Sequence, residues 1–466
     1  MAAPGIRANR LETGLSDAGK EEPMKVINVY PEFSKRVDDS IMARLWLLSL
    51  IISMPFFCKS TDAGIGITEM LLGAYYHISL ALWFAWQMLV RRKKIIRSGG
   101  DVLAALFYCV SFFSVFVSWD NDVPPVQWIR SWQLLLLMLH YFPLREHFTT
   151  RNQIRFLIIA ISIVMLGFGI YNLLEYRKIT SQFVYGYEVL YKGVRNDAPM
   201  FGAAGLIALL MLVTVKNIWG RIISLGFASV FILVLIASLA RTSWVAFLAS
   251  MLFLIVFLEP ASRRKFLAAF ALFLTAAGFI VVTFYSNLAE IAFVVIQTRL
   301  SSSVKINTDK SYLGRVLETR EVMRGVAKYP LGGNGFQKDH LRYDLLIKAH
   351  IRAVYSHNGY SGLMFKAGIP LALTFWLIII YHIWTGVITA LRNRNDHLIQ
   401  ILSLGPAAGL VSFMITNYAE GVFESRSGLI TTGFQIALIC SARYLAMYKT
   451  PEKMDDTMPD NRLLQG

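Results

Sequence analysis

Charge is scarce in this sequence. Only 16% of its 466 residues are Asp, Glu, Lys or Arg, against about 25% in a typical soluble domain. With 55% hydrophobic residues and a mean hydropathy of +0.50, that scarcity excludes disorder and points to segments long enough to span a bilayer. Cysteine is scarcer still. Cys58, Cys109 and Cys440 lie in or beside apolar runs, at spacings that suggest neither a ligand pair nor a disulfide framework, and read as small buried hydrophobes. A Walker-type or dinucleotide glycine loop is missing, which argues against an energy-coupled pump unless a partner chain supplies the nucleotide. Missing too is an opening basic region followed at once by an apolar core, so the first apolar segment is expected to be retained rather than cleaved.

What is present is a series of apolar runs. They fall near residues 43–57, 65–90, 102–118, 128–142, 154–174, 201–215, 222–239, 244–258, 266–285, 359–383, 399–416 and 428–447. The expected fold class is therefore an all-α polytopic membrane protein with about twelve transmembrane helices. The net charge of +16 suggests a membrane surface rather than nucleic acid, because it gathers in short connections. Arg91-Arg92-Lys93-Lys94, residues 145–155 and 216–221, Arg263-Arg264-Lys265 and Arg392-Asn393-Arg394 alternate with connections that are poorer in bases, such as Asp120-Asn121-Asp122. Under the positive-inside rule both ends of the chain are cytoplasmic and the other set faces outward. The expected layout is a cytoplasmic tail at 1–40, spans one to nine over 41–286, a large outward-facing loop at 287–357, spans ten to twelve over 358–448, and a cytoplasmic tail at 449–466.

The large loop is polar and arginine-rich, and its outward neighbours add more cations. Arg241 sits in the tight turn Ala240-Arg241-Thr242-Ser243-Trp244, where an arginine is costly unless paired, hydrated or holding an anion. Its planar fork suits two phosphoryl oxygens. Lys192 and Arg195 enter from the same side. From Arg315 the charges Glu318, Arg320, Glu321 and Arg324 recur at helical spacing. This predicts a helix on the membrane surface with Val316, Leu317, Val322, Met323 and Val326 on its apolar side, or an ordinary solvated helix with internal ion pairs. Leu331-Gly332-Gly333-Asn334-Gly335-Phe336 could offer amides to an anion or simply turn the chain. Of His340, His350 and His357, the spacings do not suit zinc. Only His357, beside Asn358 and Tyr360, stands where the loop enters a rigid span and can take a proton near neutral pH.

Arg241-Thr242-Ser243-Trp244, Gly314-Arg315, Pro330-Leu331-Gly332-Gly333-Asn334-Gly335-Phe336 and His357-Asn358-Gly359-Tyr360, running into Lys366-Ala367-Gly368-Ile369-Pro370, together resemble the O-antigen ligase and O-antigen polymerase superfamily. The resemblance covers roughly Arg195 to the last span, and departs from the family pattern at Phe365-Lys366. It implies a helical membrane glycosyltransferase of the GT-C-like kind in a bacterial inner membrane, independent of metal or other cofactor, with its active site facing the periplasm. The donor would be a glycan on undecaprenyl pyrophosphate. Arg241 and Arg315 would clamp the pyrophosphate with help from Arg195, Lys192 or Arg320, while His357, with Asn358 and Tyr360, would hold or deprotonate the acceptor hydroxyl. The acceptor would be another lipid-linked repeat unit if the chain is a polymerase, the favoured reading, or lipid A-core or a protein if it is a ligase. Polysaccharide-export partners fit either. A transporter or flippase is the competing class, disfavoured because ionisable residues avoid the middles of the spans.

Overall fold

Backbone polar groups inside a bilayer must pair within their own segment, so long apolar runs fold as helices. The computed structural model describes residues 41–58, 67–182, 197–284, 310–344 and 348–448. Its helices are α1 (Ile41–Cys58), α2 (Ile67–Ala85), α3 (Gly99–Phe112), α4 (Ser114–Asp120), α5 (Pro125–Leu136), α6 (Tyr141–His147), α7 (Arg151–Gln182) and α8 (Ala198–Thr214). Then follow α9 (Ile218–Ala237), α10 (Arg241–Phe257), α11 (Pro260–Phe284), α12 (Lys310–Lys328), α13 (Gly359–Ala367), α14 (Ile369–Arg392), α15 (His397–Thr416) and α16 (Arg426–Met447). Among the described residues seven helical segments are long and apolar enough to cross a membrane: 41–58, 99–120, 151–178, 218–237, 369–392, 397–416 and 426–447. Ala198–Thr214 and Arg241–Phe257 are shorter apolar helices. The chain is an all-α polytopic membrane protein, with one departure. A β-hairpin, β1 (His340–Asp344) against antiparallel β2 (Ala349–Ala353), sits between α12 and α13 with His340 opposite Ala353 and Asp344 opposite Ala349.

Helix α15 is the axis of the bundle, packed by α8, α10, α14 and α16. Small residues let it approach its neighbours. A methyl added at Gly409 would stand 2.6 Å from the Gln435 side chain, and one at Gly405 would stand 3.0 Å from Ile207, the close packing that membrane helices use in place of a hydrophobic drive. The outside of the bundle is apolar: Ile52, Phe56, Ile78, Leu82, Ile163 and Leu252 are all more than half exposed. Such a surface suits lipid, not water.

The two ends of the bundle differ. At one, basic connections fold onto acids: Arg145 donates to Asp101, Arg97 pairs with Glu146, and Arg151 pairs with Asp396, whose carboxyl is held low. Burial alone would raise Asp396, but the Arg151 hydrogen bond and backbone amides outweigh it. At the other end the start of α13 meets the end of α15, with α12 packed against α13 and the hairpin. That end holds the candidate site.

Candidate functional site

Helix α12 is amphipathic, though not along the stripe its sequence suggests. Val322 and Val326 are buried against Phe365, and a methyl on Gly325 would strike the Phe365 ring at 2.3 Å. Val316 and Met323, expected on the same face, are 40% and 42% exposed, because at 100° per residue they stand about a quarter-turn round from the two valines. Glu318 takes the buried place instead, only 1% exposed. It is the carboxylate that α12 turns inward toward the histidines.

Opposite it stands His357, held by the residues that follow. Asn358 caps α13, its side chain accepting from the amides of Tyr360 and Ser361 at 3.1 and 3.2 Å. Gly359 donates its amide to the Asn417 carbonyl at 2.9 Å. A methyl at Gly359 would stand 2.2 Å from the Asn417 side chain, so only glycine permits the approach. Tyr360 donates its hydroxyl to the Met414 carbonyl at 2.7 Å and packs on Trp376. Asn358 Oδ1 and the Tyr360 hydroxyl thus help to fix His357 to the ends of α13 and α15.

The result is a histidine–carboxylate pair with a second histidine behind it. His357 Nδ1 donates to Glu318 Oε2 at 2.7 Å, and His340 Nε2 to Oε1 at 3.3 Å. Burial by itself would raise the Glu318 carboxyl. The hydrogen bonds from His340 and His357, with the charges of His357 and Arg342, outweigh it and pull it down to about 2. The carboxylate is therefore ionised and accepts only, which assigns the proton of a neutral His357 to Nδ1 and leaves the Nε2 lone pair available. His357 is about one-third exposed where Glu318 is closed off. The arrangement can take a proton from a hydroxyl at Nε2 while the carboxylate steadies the imidazolium that forms.

Tyr355 packs edge-on against His357, ring centroids 5.7 Å apart. Its hydroxyl is pushed up, first by burial and then by Glu424 and Glu420, with Arg315 pulling the other way. Arg315 therefore lies within electrostatic reach of the His357 neighbourhood, three residues before Glu318 on the same side of α12. Beyond Tyr355, Lys366 and Glu424 form a 2.5 Å ion pair, both largely buried.

The remaining expected residues divide. Arg241 is the first residue of α10 and half-buried, at this end of the bundle. It takes no part in the His357–Glu318–His340 hydrogen bonds. Arg320 is exposed, on the side of α12 away from Glu318. Lys192 and Arg195 lie outside the described residues. His350 packs on Tyr343 in the hairpin. The glycine loop turns the chain and does not present its amides to an anion: Asn334 and Gly335 donate to the carbonyls of Phe365 and Lys366 at 2.7 and 3.0 Å, and Gly333 donates to that of Tyr329 at 3.0 Å. Among the described residues no three His, Cys, Asp or Glu side chains converge as a metal site.

Two residues escaped the sequence reading, Glu318 and Glu424. For Glu318 a signal existed. It precedes Val322 and Val326 by four and eight residues, so the acid shares their stripe rather than the polar face. Glu424 carried no such signal, since Lys366 lies 58 residues away.

Residues 226–376 match the family model described as O-antigen ligase. Over this segment the chain is similar to the O-antigen ligase family. The matched stretch runs from within α9 into α14, and contains Arg241, Arg315, Glu318, His340 and His357. Among curated proteins none matches the chain.

Proposed function

We propose that this chain is a membrane glycosyltransferase that moves a glycan from undecaprenyl pyrophosphate onto a hydroxyl of another lipid-linked repeat unit, at the periplasmic face of a bacterial inner membrane. The observation that carries the reading is the His357–Glu318 pair beside Arg315, inside the segment that matches the O-antigen ligase family. Members of that family are glycosyltransferase-like enzymes. The alternation of basic and base-poor connections puts the end of the bundle that holds His357 on the outer side of the membrane. On this reading the twelve apolar segments are the spans, and residues 287–357 form the large periplasmic loop.

The chemistry follows from the positions. The acceptor hydroxyl gives its proton to His357 Nε2 as its oxygen attacks the anomeric carbon. The bond from that carbon to the pyrophosphate oxygen breaks, and undecaprenyl pyrophosphate leaves. Negative charge grows on the leaving group, where Arg315 and Arg241, helped by Lys192 or Arg195, hold it. One displacement inverts the anomeric carbon. Neither ATP nor a metal has a step to perform.

Replacing His357 with alanine should abolish transfer in proteoliposomes while the lipid-linked donor still binds. Arg315→Ala and Arg241→Ala should each slow transfer about 100-fold or more, and lysine should restore it only partly, because the planar fork is lost. Transfer at a normal rate by folded His357→Ala protein rejects the mechanism. The product separates the acceptors. A ladder of lengthening lipid-linked glycans marks a polymerase, whereas one product on added lipid A-core marks a ligase.

A further inference from the structure

Behind Tyr355 lies a cavity of about 190 Å³, between the second half of α5, the turn after Gly335, α13 and the 422–424 turn. Its walls are aromatic and aliphatic, with Phe336, Tyr355, Trp376 and Phe423 prominent. The Lys366–Glu424 ion pair is set into them. Tyr355 and Gly359, each two residues from His357 in the chain, both line the space, so it opens beside the segment that carries the proposed base. None of the residues expected from the sequence to bind substrate lies in it.

Size limits what fits. The volume falls below the ~300–1,000 Å³ of sites that take drug-sized molecules. One sugar ring suits it; a pyrophosphate with its polyprenyl chain does not.

Chemistry narrows the choice further. Glu424 Oε2 is taken by Lys366, but Oε1 is buried with no hydrogen-bond partner among the described residues, a costly state for a carboxylate oxygen. A ligand hydroxyl or amide N–H would satisfy it. The Lys366 ammonium has three hydrogens, of which Glu424 takes one. A pair offering an acceptor and a donor side by side matches a sugar, whose neighbouring hydroxyls do both. An anion would meet the Glu424 charge, and an alkyl chain would leave Oε1 as it is. The aromatic walls suit the apolar C–H face of a ring.

We infer that this cavity is the acceptor subsite, taking the uncharged sugar ring whose hydroxyl His357 deprotonates, with Glu424 and Lys366 reading its hydroxyls. This rests on the glycosyltransferase reading above, and the test keeps the two apart by measuring binding without turnover. The probe is the host's own repeat-unit oligosaccharide, released from its lipid and titrated against purified full-length His357→Ala protein by saturation-transfer NMR. Two variants are made in that background. Glu424→Gln keeps the shape but breaks the ion pair, and Ser131→Leu fills the cavity from α5 with the pair intact.

Each variant should weaken oligosaccharide binding about tenfold or more, the worth of a hydrogen bond to a charged group. Undecaprenyl phosphate should bind as before. In the His357-intact enzyme the same changes should raise the KM for acceptor more than the KM for donor. If either variant misfolds, the other decides. Undiminished oligosaccharide binding in a folded variant overturns the subsite, as does loss of undecaprenyl phosphate binding in its place. Oligosaccharide binding that needs Glu424, in a chain whose His357→Ala form still transfers, would keep the subsite and remove the base.

Discussion

Glu318 decides more at the level of single residues than any cation. It fixes the His357 tautomer, and its loss should be felt in rate before stability. Glu318→Gln keeps the shape yet presents an amide that can donate to Nδ1, reversing the tautomer; transfer should fall about 100-fold or more, as when a triad loses its carboxylate. Glu318→Asp, which keeps the charge, should recover part of the rate. A Gln variant with wild-type kcat would reduce Glu318 to a packing residue. The carboxyl also sets a pH dependence. Its folded value near 2 lies below the ordinary 4.5, so its stabilising effect is complete above about 4.5 and is lost as pH falls toward about 2. The thermal midpoints of wild type and Glu318→Gln should differ at about pH 6 and converge only as pH approaches about 2. A gap constant across that range would show that ionisation is not what holds α12. At this scale the sequence exposed His357, by its place at a loop-to-span junction, and Arg315. It hid the carboxylate because an acid at helical spacing among arginines looks like one more solvated ion pair.

Among the elements, the join between the loop and α13 carries the geometry. The chain from Tyr329 to Phe336 is clipped onto the end of α13 by the amides of Asn334, Gly335 and Ile369, the last donating to the Pro330 carbonyl at 2.8 Å. Two glycines permit it. Gly333 and Gly368 have φ of +70° and +80°, and a methyl on either would lie within 2.5 Å of the opposing backbone. Gly333→Ala and Gly368→Ala should each lower stability by about 1–3 kcal/mol and slow transfer with it, since the clip seats the helix that His357 introduces. Gly332→Ala, whose methyl would meet only Val117 at 3.8 Å, should be close to neutral. Chemical denaturation of the three variants checks this, and equal loss at Gly332 would contradict it. A run of glycines in a sequence announces a turn, but which amides it uses, and on what, depends on a partner some thirty residues later. The β-hairpin was illegible for a similar reason: its strands are five residues each and carry little alternation.

Across the whole molecule the helical class was open to reading, because a bilayer leaves apolar runs few alternatives. Orientation follows from where the bases fall, and it can be measured. In a version with Cys58, Cys109 and Cys440 replaced, a cysteine at His350 in the hairpin should react with a membrane-impermeant maleimide in intact cells. One at Arg394, in the basic connection after α14, should react only after the membrane is opened. Equal labelling of both would overturn the two-sided assignment and with it the common active face. What could not be read was which segments converge. The His357 site draws on α12, the hairpin, α13, the end of α15 and the 417–425 connection, and an unaligned sequence carries no record of such distant neighbours.

That convergence imposes an order on how the chain matures. Arg241 emerges from the ribosome first, Arg315 and Glu318 some seventy residues later, then His357. The Asn417 carbonyl that receives the Gly359 amide, and Glu424 beyond it, come only with the final two spans. Until those spans are threaded into the membrane, the cations that attract a lipid-linked donor exist without a seated base. On the proposed function, a nascent or truncated chain would hold the carrier lipid without consuming it, so interrupted synthesis would sequester the carrier rather than discharge it.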